Sequence, residues 1–258
     1  MDEGKFAKNY SLQTVHRAIK ILKAFSREHK YLSLTEIHRM TGLSVSTLQR
    51  LTSTLVYEGF LHRNEQTKQY QLGLGLLFLG ELVEKNTGLL SFAQPVLERI
   101  NRITSESVSL NIIENNERRC IYNLESKHKL SANTYVGDTS PLYAGASAKI
   151  LLAHWSEVEI NDYLREVKIE NITENTITSK EQLLEDLRKI KEQGYAVSHG
   201  ERVKGAVSIS APIINEYSEV LASITIIIPS ARIEEYDVDV LIKEVVKGTS
   251  EISEKLSV

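Results

Sequence analysis

Residues 32–72 read LSLTEIHRMTGLSVSTLQRLTSTLVYEGFLHRNEQTKQYQL, and their pattern decides the fold of the amino-terminal part. Ser33 and Glu36 have the spacing of a capping box, in which each side chain satisfies a backbone donor at a helix start. Ile37 and Met40 supply the inward face of a helix of barely two turns. Gly42 suits the left-handed position that ends such a helix and lets the chain swing round. Leu43 plugs the gap between two helices, and Ser44 caps the second. There Val45, Leu48, Leu51, Thr52 and Leu55 recur at three- and four-residue steps, which predicts one buried stripe ending near Glu58 and Gly59. Two short strands, 60–63 and 68–72, then flank the polar turn Asn64, Glu65, Gln66, Thr67. This order predicts a winged helix-turn-helix, a module that sets one helix into the major groove of duplex DNA.

The face opposite the stripe carries Ser46, Thr47, Arg50 and Ser53, with Gln49 at its edge. Small hydroxyls allow close approach to the groove, while Gln49 and Arg50 have the reach and donors for base edges or phosphates. Residues 43–57 contain no acidic side chain, as contact with a polyanion requires. Ser44, Ser46, Thr47, Gln49 and Arg50, with Arg63 and Lys68 of the wing, are therefore the candidate DNA contacts. The plainer alternative is an amphipathic helix with a neutral outer face, Arg50 paired with Glu58 or the wing, and Arg63 and Lys68 as ordinary strand-surface charges.

Composition supports the first reading once the chain is divided. The 258 residues are 41% apolar and 25% charged with a net charge of −3, which describes an ordinary globular protein. Residues 1–75 hold 11 Lys+Arg against 6 Asp+Glu, whereas 76–258 hold 20 against 28. A basic amino-terminal part on an acidic body is expected when one part alone meets DNA. The single cysteine, Cys120, excludes an intramolecular disulfide and a two-cysteine zinc clamp, and a reducing cytoplasm is the expected setting. No apolar signal segment opens the sequence, and the most apolar run, 72–83, is too short to cross a bilayer. Phosphate-binding and dinucleotide motifs are absent, no His/Asp/Glu cluster has metal spacing, and no cofactor is expected. Gly145-Ala146-Ser147-Ala148 lacks the last glycine of a nucleophile elbow.

The remaining pattern sets further expectations. Residues 1–9 read as a loose tail. Leu12, Val15, Ala18, Ile19, Leu22 and Phe25 mark a helix whose stripe should pack on the two helices above, with His16, Arg17, Lys20 and Lys23 off it. Residues 74–85 form a helix apolar most of the way round, which wants burial on two sides; it is expected to pack against both domains and a second chain. A symmetric dimer would present two recognition helices to two half-sites. From Gly88 onward, Pro95 suits the first turn of a helix. Strands are predicted at 108–113, 119–124 and about 130–135, with 136–141 a loop. Helices follow at 144–154, after the Ser156/Glu159 capping box, and from Ser179 through Leu183, Leu184, Leu187 and Ile190 to Gly194. Strands at 195–198, 207–211 and 220–228 precede a terminal helix at 233–254. Strand pairs separated by grouped helices imply an α+β fold with a largely antiparallel sheet.

Taken together, these residues resemble the IclR family of bacterial transcriptional regulators. The resemblance is carried by residues 14–25, Gly42-Leu43-Ser44-Val45-Ser46-Thr47-Leu48-Gln49-Arg50-Leu51, Gly59-Phe60-Leu61 and Tyr70-Gln71-Leu72-Gly73. In the body it is carried by residues 141–149, Gly194-Tyr195-Ala196-Val197-Ser198 with Glu201, and residues 205–213 and 223–229. It implies a winged helix-turn-helix domain at 1–73, a linker and dimerisation helix at 74–87, and a GAF-like effector-binding domain at 88–258. It also implies a cytoplasmic regulator, repression favoured over activation, that binds a palindromic operator as a homodimer or a dimer of dimers and senses a small organic acid or related metabolite. The implied pocket is lined by Ala146, Ser147, Ser198, Ala206, Ser208, Thr225 and Ile227. A helix start there offers free amide donors to a carboxylate, and Ser147 adds a hydroxyl.

The sequence departs from the family pattern at Tyr143, where His is usual, at Ala148 for Gly, at Ser208 for Cys, and at Ser198, often acidic. Ile227 stands where some members are polar. Fewer polar groups on the far wall favour a ligand with an apolar portion over a small dicarboxylate. Two rival functions follow from the same residues. One is a hydrolase with an accessory DNA-binding module, using Ser147 or Ser208 with His199. The other is a winged helix that contacts protein or RNA.

Overall fold

The computed structural model describes residues 12–86 and 88–256, in two compact units, Met1–Asn86 and Thr87–Val258. The expected tail at 1–9 lies outside the described residues.

In the first unit, α1 (Gln13–Leu22), α2 (Leu34–Thr41) and α3 (Val45–Tyr57) precede a hairpin of β1 (Leu61–Arg63) and β2 (Tyr70–Leu72), and α4 (Leu74–Asn86) ends it. The Ser33/Glu36 capping box forms in full, and Gly42 adopts φ +69° where α2 stops. Thr41 donates its hydroxyl to the Ile37 carbonyl and accepts from the Leu43 N–H, which pins the tight turn. Leu48, Leu51 and Leu55 of α3 pack with Ile21, Leu32, Ile37, Leu61 and Tyr70 into one core. Leu32 also pairs with Tyr70 as an isolated bridge, tying the entry to α2 onto the wing.

Two expectations in this unit change. Met40 and Val45 are exposed; the core between α2 and α3 is filled instead by Ile37, Leu48, Leu51 and Leu55. The buried residue of α1 is Ile21, with Leu12, Val15 and Ile19 outward; a ten-residue helix touching the core along one edge hides only part of a wide stripe. On α4, Leu74, Leu77, Phe78, Leu79, Leu82 and Val83 are exposed in the single chain.

The second unit is built on six strands: β3 (Ser107–Glu114), β4 (Glu117–Leu124), β5 (Thr139–Pro141), β6 (Ala196–His199), β7 (Ala206–Ile214) and β8 (Val220–Pro229). Their order is β5-β4-β3-β8-β7-β6, and every pair is antiparallel. Its helices are α5 (Gly88–Thr104), α6 (Ala146–Leu152), α7 (Glu157–Glu166), α8 (Lys180–Gln193) and α9 (Val238–Leu256). Asn115 and Asn116, both at positive φ, make the two-residue turn between β3 and β4, a backbone shape that matches strand twist.

The two faces of this sheet differ in chemistry. On one, Val108, Leu110, Ile209, Ala211, Ile213, Ile224, Ile226 and Ile228 pack on α5 and α9. These helices approach so closely that a Cβ on Gly248 would stand 2.6 Å from Val96 Cγ1. On the other face the registers Ser109↔Thr225, Asn111↔Ser223, Ser210↔Thr225, Ser208↔Ile227 and Ser198↔Ser208 align a stripe of small polar side chains, since residues directly opposite share a face. Leu142, Tyr143, α6, α7 and α8 form a separate apolar cluster with Ala196 at this side of the sheet.

The α+β fold and antiparallel sheet agree with the sequence reading, and details differ. Residues 130–135 form no strand; the third ladder is β5, placed in the expected loop, and the Tyr135 N–H donates to Asp138 rather than to a neighbouring strand. Pro95 sits inside α5 rather than in its first turn, its missing N–H costing one rung of the helix. A 3-10 turn at Ser230–Glu235 precedes α9, whose start is set by Asp237 accepting from the Asp239 and Val240 N–H groups. Among the described residues no helix is long and apolar enough to cross a membrane.

Candidate functional site

Ser44 opens α3 as its N-cap, accepting from the Thr47 N–H at 3.4 Å and sharing hydrogen bonds with the Ser46 and Thr47 hydroxyls. These short links turn the hydroxyls into a fixed polar edge at the helix start. Ser46, Gln49 and Arg50 are exposed and Thr47 is half-buried, because the stripe Leu48, Leu51, Thr52, Leu55 takes the inner face. Thr52 returns its hydroxyl to the Leu48 carbonyl and is thereby accommodated in the core. The alternative in which Arg50 pairs with Glu58 or the wing does not form: among the described residues no hydrogen bond or ion pair holds the Arg50 guanidinium. Thr14 and Arg17 of α1 join Ser46, Thr47, Arg50, Leu51 and Thr54 around one groove on this surface. Arg17 was legible in sequence only as one of four polar residues off the α1 stripe.

On the wing, Arg63 stacks over the Tyr70 ring, 5.7 Å from its centroid. Lys68 sits at the hairpin turn with φ +58° and pairs with Glu65 at 3.0 Å. Both charges of that pair are exposed, so the pair is weak and screened by salt.

The second unit contains a cleft lined by Gly145, Ser147, Ser198, Gly200, Glu201, Arg202, Val203, Ala206, Ser208, Thr225 and Ile227, with about 340 Å³ of free space including its open mouth. Six of the seven pocket residues expected from the sequence meet there. The seventh, Ala146, is fully buried and does not line the cleft: a helix start that faces the sheet points its first side chain into the apolar cluster.

One further expectation is corrected, the charge of the cleft wall. Ahead of α6, the Gly145 N–H at its N-cap donates to Glu201 Oε2 at 3.2 Å. Glu201 is buried against Lys149, whose Nζ lies 2.6 Å from Oε1 and 2.8 Å from Asp186. The wall is not poor in charge: Arg202 lines it. A sequence pattern cannot supply that residue, since Arg202 lies in the loop between β6 and β7, whose path is set by Gly200 and Gly205 at positive φ.

Behind Arg202 stands Arg118 of β4, fully buried. Its Nε donates to Ser140 Oγ at 2.9 Å and its Nη1 to Asn111 Oδ1 at 3.2 Å. Asn111 Nδ2 continues the network to Ser109 Oγ and Thr225 Oγ1, and Thr225 bonds Ser210. Arg118 Nη2 is buried without a partner among the described residues. Burial, then the nearby Arg202, holds the Arg118 guanidinium down to about 10, and burial lowers Arg202 as well. Arg118 therefore remains a cation at neutral pH.

No hydrolytic constellation assembles from Ser147, Ser208 and His199. The His199 side chain is exposed, and neither serine hydroxyl bonds to it among the described residues.

A helix-turn-helix with a wing, followed in the chain by an α+β unit with a cleft on its polar sheet face, defines a DNA-binding transcriptional regulator. Residues 14–65 match the IclR helix-turn-helix domain and residues 82–254 match the C-terminal domain of the bacterial transcriptional regulator IclR; the chain belongs to the IclR family. It is 32% identical over 244 residues to the HTH-type transcriptional regulator KipR of Bacillus subtilis, covering 95% of this chain and 97% of that protein. It is 30% identical to the HTH-type transcriptional repressor AllR of Escherichia coli, covering 86% and 82%. An IclR transcriptional regulator of Alicyclobacillus acidocaldarius shares the structure with a TM-score of 0.88 at 25% identity, over 95% of this chain and 99% of the other. An IclR homologue of Microbacterium hydrocarbonoxydans, solved in complex with 4-hydroxybenzoate, superposes with a TM-score of 0.84 at 24% identity, over 94% and 98%. Family membership makes the chain a transcriptional regulator rather than an enzyme.

Proposed function

We propose that this protein is a ligand-responsive repressor, cytoplasmic, in which residues 1–73 bind DNA, 74–87 dimerise and 88–258 sense a small organic acid. The observation that carries the reading is the uncovered outer face of α3, where Ser46, Gln49 and Arg50 stand free of the core. Ser44 and Thr47 fix its edge, and Arg63 and Lys68 flank it on the wing for phosphate contact. The exposed leucines and Phe78 of α4 supply the surface for a second chain. Two such heads read a palindromic operator, as a dimer or a dimer of dimers.

Ser147, Ser198, Ala206, Ser208, Thr225 and Ile227 surround the effector, with Ala146 supporting the helix behind Ser147. The 4-hydroxybenzoate held by one structural neighbour supports an organic acid with an apolar portion. The effector acts by binding one arrangement of the paired heads more tightly than the other, which is the only way a ligand shifts such an equilibrium. AllR, a repressor by name, supports the sign of regulation. Gel shifts on DNA upstream of the protein's own coding sequence test the reading. A retarded band competed by specific and not by random DNA is expected, and equal competition by both would overturn it.

A further inference from the structure

Two guanidiniums stand together in the second unit with less negative charge than they require. Arg202 lines the cleft beside Gly145, and among the described residues its guanidinium makes no hydrogen bond or ion pair. Arg118 is fully buried and keeps Nη2 without a partner. The carboxylate that acts on both is Asp138. It forms no ion pair with either within 4 Å, and one of its oxygens is taken by the Tyr135 N–H at 2.8 Å. The Cys120 thiol beside them is pushed up to about 11, mainly by burial, so it is neutral and contributes no counter-charge. Arg118 and Arg202 against Asp138 leave a net positive charge in a largely desolvated place, an arrangement that is unfavourable unless something pairs with it. Close to Arg202, the Gly145 N–H that precedes α6 is taken by Glu201.

We propose that the acidic group of the effector binds at Arg202, with Arg118 as the buried charge behind it, and that the ligand class is a monocarboxylate with an apolar body. This rests on the effector-cleft reading above and goes beyond it in placing the charge. One carboxylate balances the excess of one cation, and the planar guanidinium fork of Arg202 matches it in two parallel hydrogen bonds. Val203, Ala206 and Ile227 line the same cleft and receive the apolar body.

The test uses the full-length protein, its thermal melting followed in benzoate and isobutyrate and in their uncharged amides, benzamide and isobutyramide, at constant ionic strength. The carboxylates are expected to raise Tm in a concentration-dependent way and the amides to leave it unchanged, as linkage requires of a ligand that binds the folded state. Arg202→Met is expected to weaken carboxylate binding on the order of 10- to 100-fold, the worth of a hydrogen bond to a charged group. Its ligand-free Tm should equal or exceed that of the unaltered protein, since a poorly paired charge has gone. Arg202→Gln serves as a second substitution with the same expectation. The proposal is overturned if neither carboxylate stabilises the unaltered protein, if amides act equally, or if both variants respond like wild type. Operator binding by the unaltered protein, measured separately, tells failure of the charge placement from failure of the regulator reading.

Discussion

Arg50 leaves α3 on its exposed side, with no acidic neighbour bonded to it among the described residues. Arg50→Ala is expected to weaken specific operator binding by about 1–3 kcal/mol and to relax base preference, whereas Arg63→Ala should reduce the salt slope by about one and affect all sequences alike. Titrations at several salt concentrations separate the two, and equal affinity for wild type and Arg50→Ala would remove Arg50 from the interface. Cys120 gives a prediction of another kind. Burial holds its thiol at about 11 against a usual 9.0, so the folded protein binds that proton more tightly than the unfolded chain. The corresponding stability is complete below about pH 9 and is lost as pH rises from about 9 to about 11. Iodoacetamide at pH 8 should leave Cys120 unmodified in the native protein and alkylate it in denaturant, as mass spectrometry would show.

At the scale of elements, the helix-turn-helix depends on two local devices. The Ser33 hydroxyl accepts from the Glu36 N–H, while Glu36 Oε2 accepts from the Ser33 N–H at 2.7 Å, so Ser33→Ala should cost about 1 kcal/mol. Gly73 carries the heavier constraint. A Cβ there would lie 2.1 Å from the Gly59 carbonyl oxygen, where the chain leaves the wing for α4. Gly73→Ala is expected to cost about 1–3 kcal/mol or more through forced backbone movement. Calorimetry of the full chain checks both, in the transition that added operator DNA shifts upward. An unchanged transition for Gly73→Ala would mean that the contact relaxes at no cost.

The largest-scale prediction concerns assembly. Leu77, Phe78 and Leu82 of α4 are more than half exposed in the single chain, and apolar surface on that scale marks an association site. Phe78→Glu is expected to shift the protein from dimer to monomer in sedimentation experiments and to abolish operator binding at nanomolar concentration. A monomeric wild type would defeat this assignment.

Sequence alone determined the elements whose signals are local. The capping boxes at Ser33 and Ser156, the Gly42 and Gly194 stops, and the α3 stripe each arise from residues a few positions apart, so their physics is legible without a partner. The antiparallel sheet was legible as well, and family resemblance picked out six residues that meet at one cleft. Tertiary structure decided what depends on distant segments meeting. It buried Ala146, turned Met40 and Val45 outward, moved the third ladder to β5, and filled the Gly145 amide with Glu201, 56 positions away. It also placed Arg118 beside Arg202, although 84 positions separate them in the chain. Charge is read from composition, but its burial and its pairing are properties of neighbours that only folding brings together.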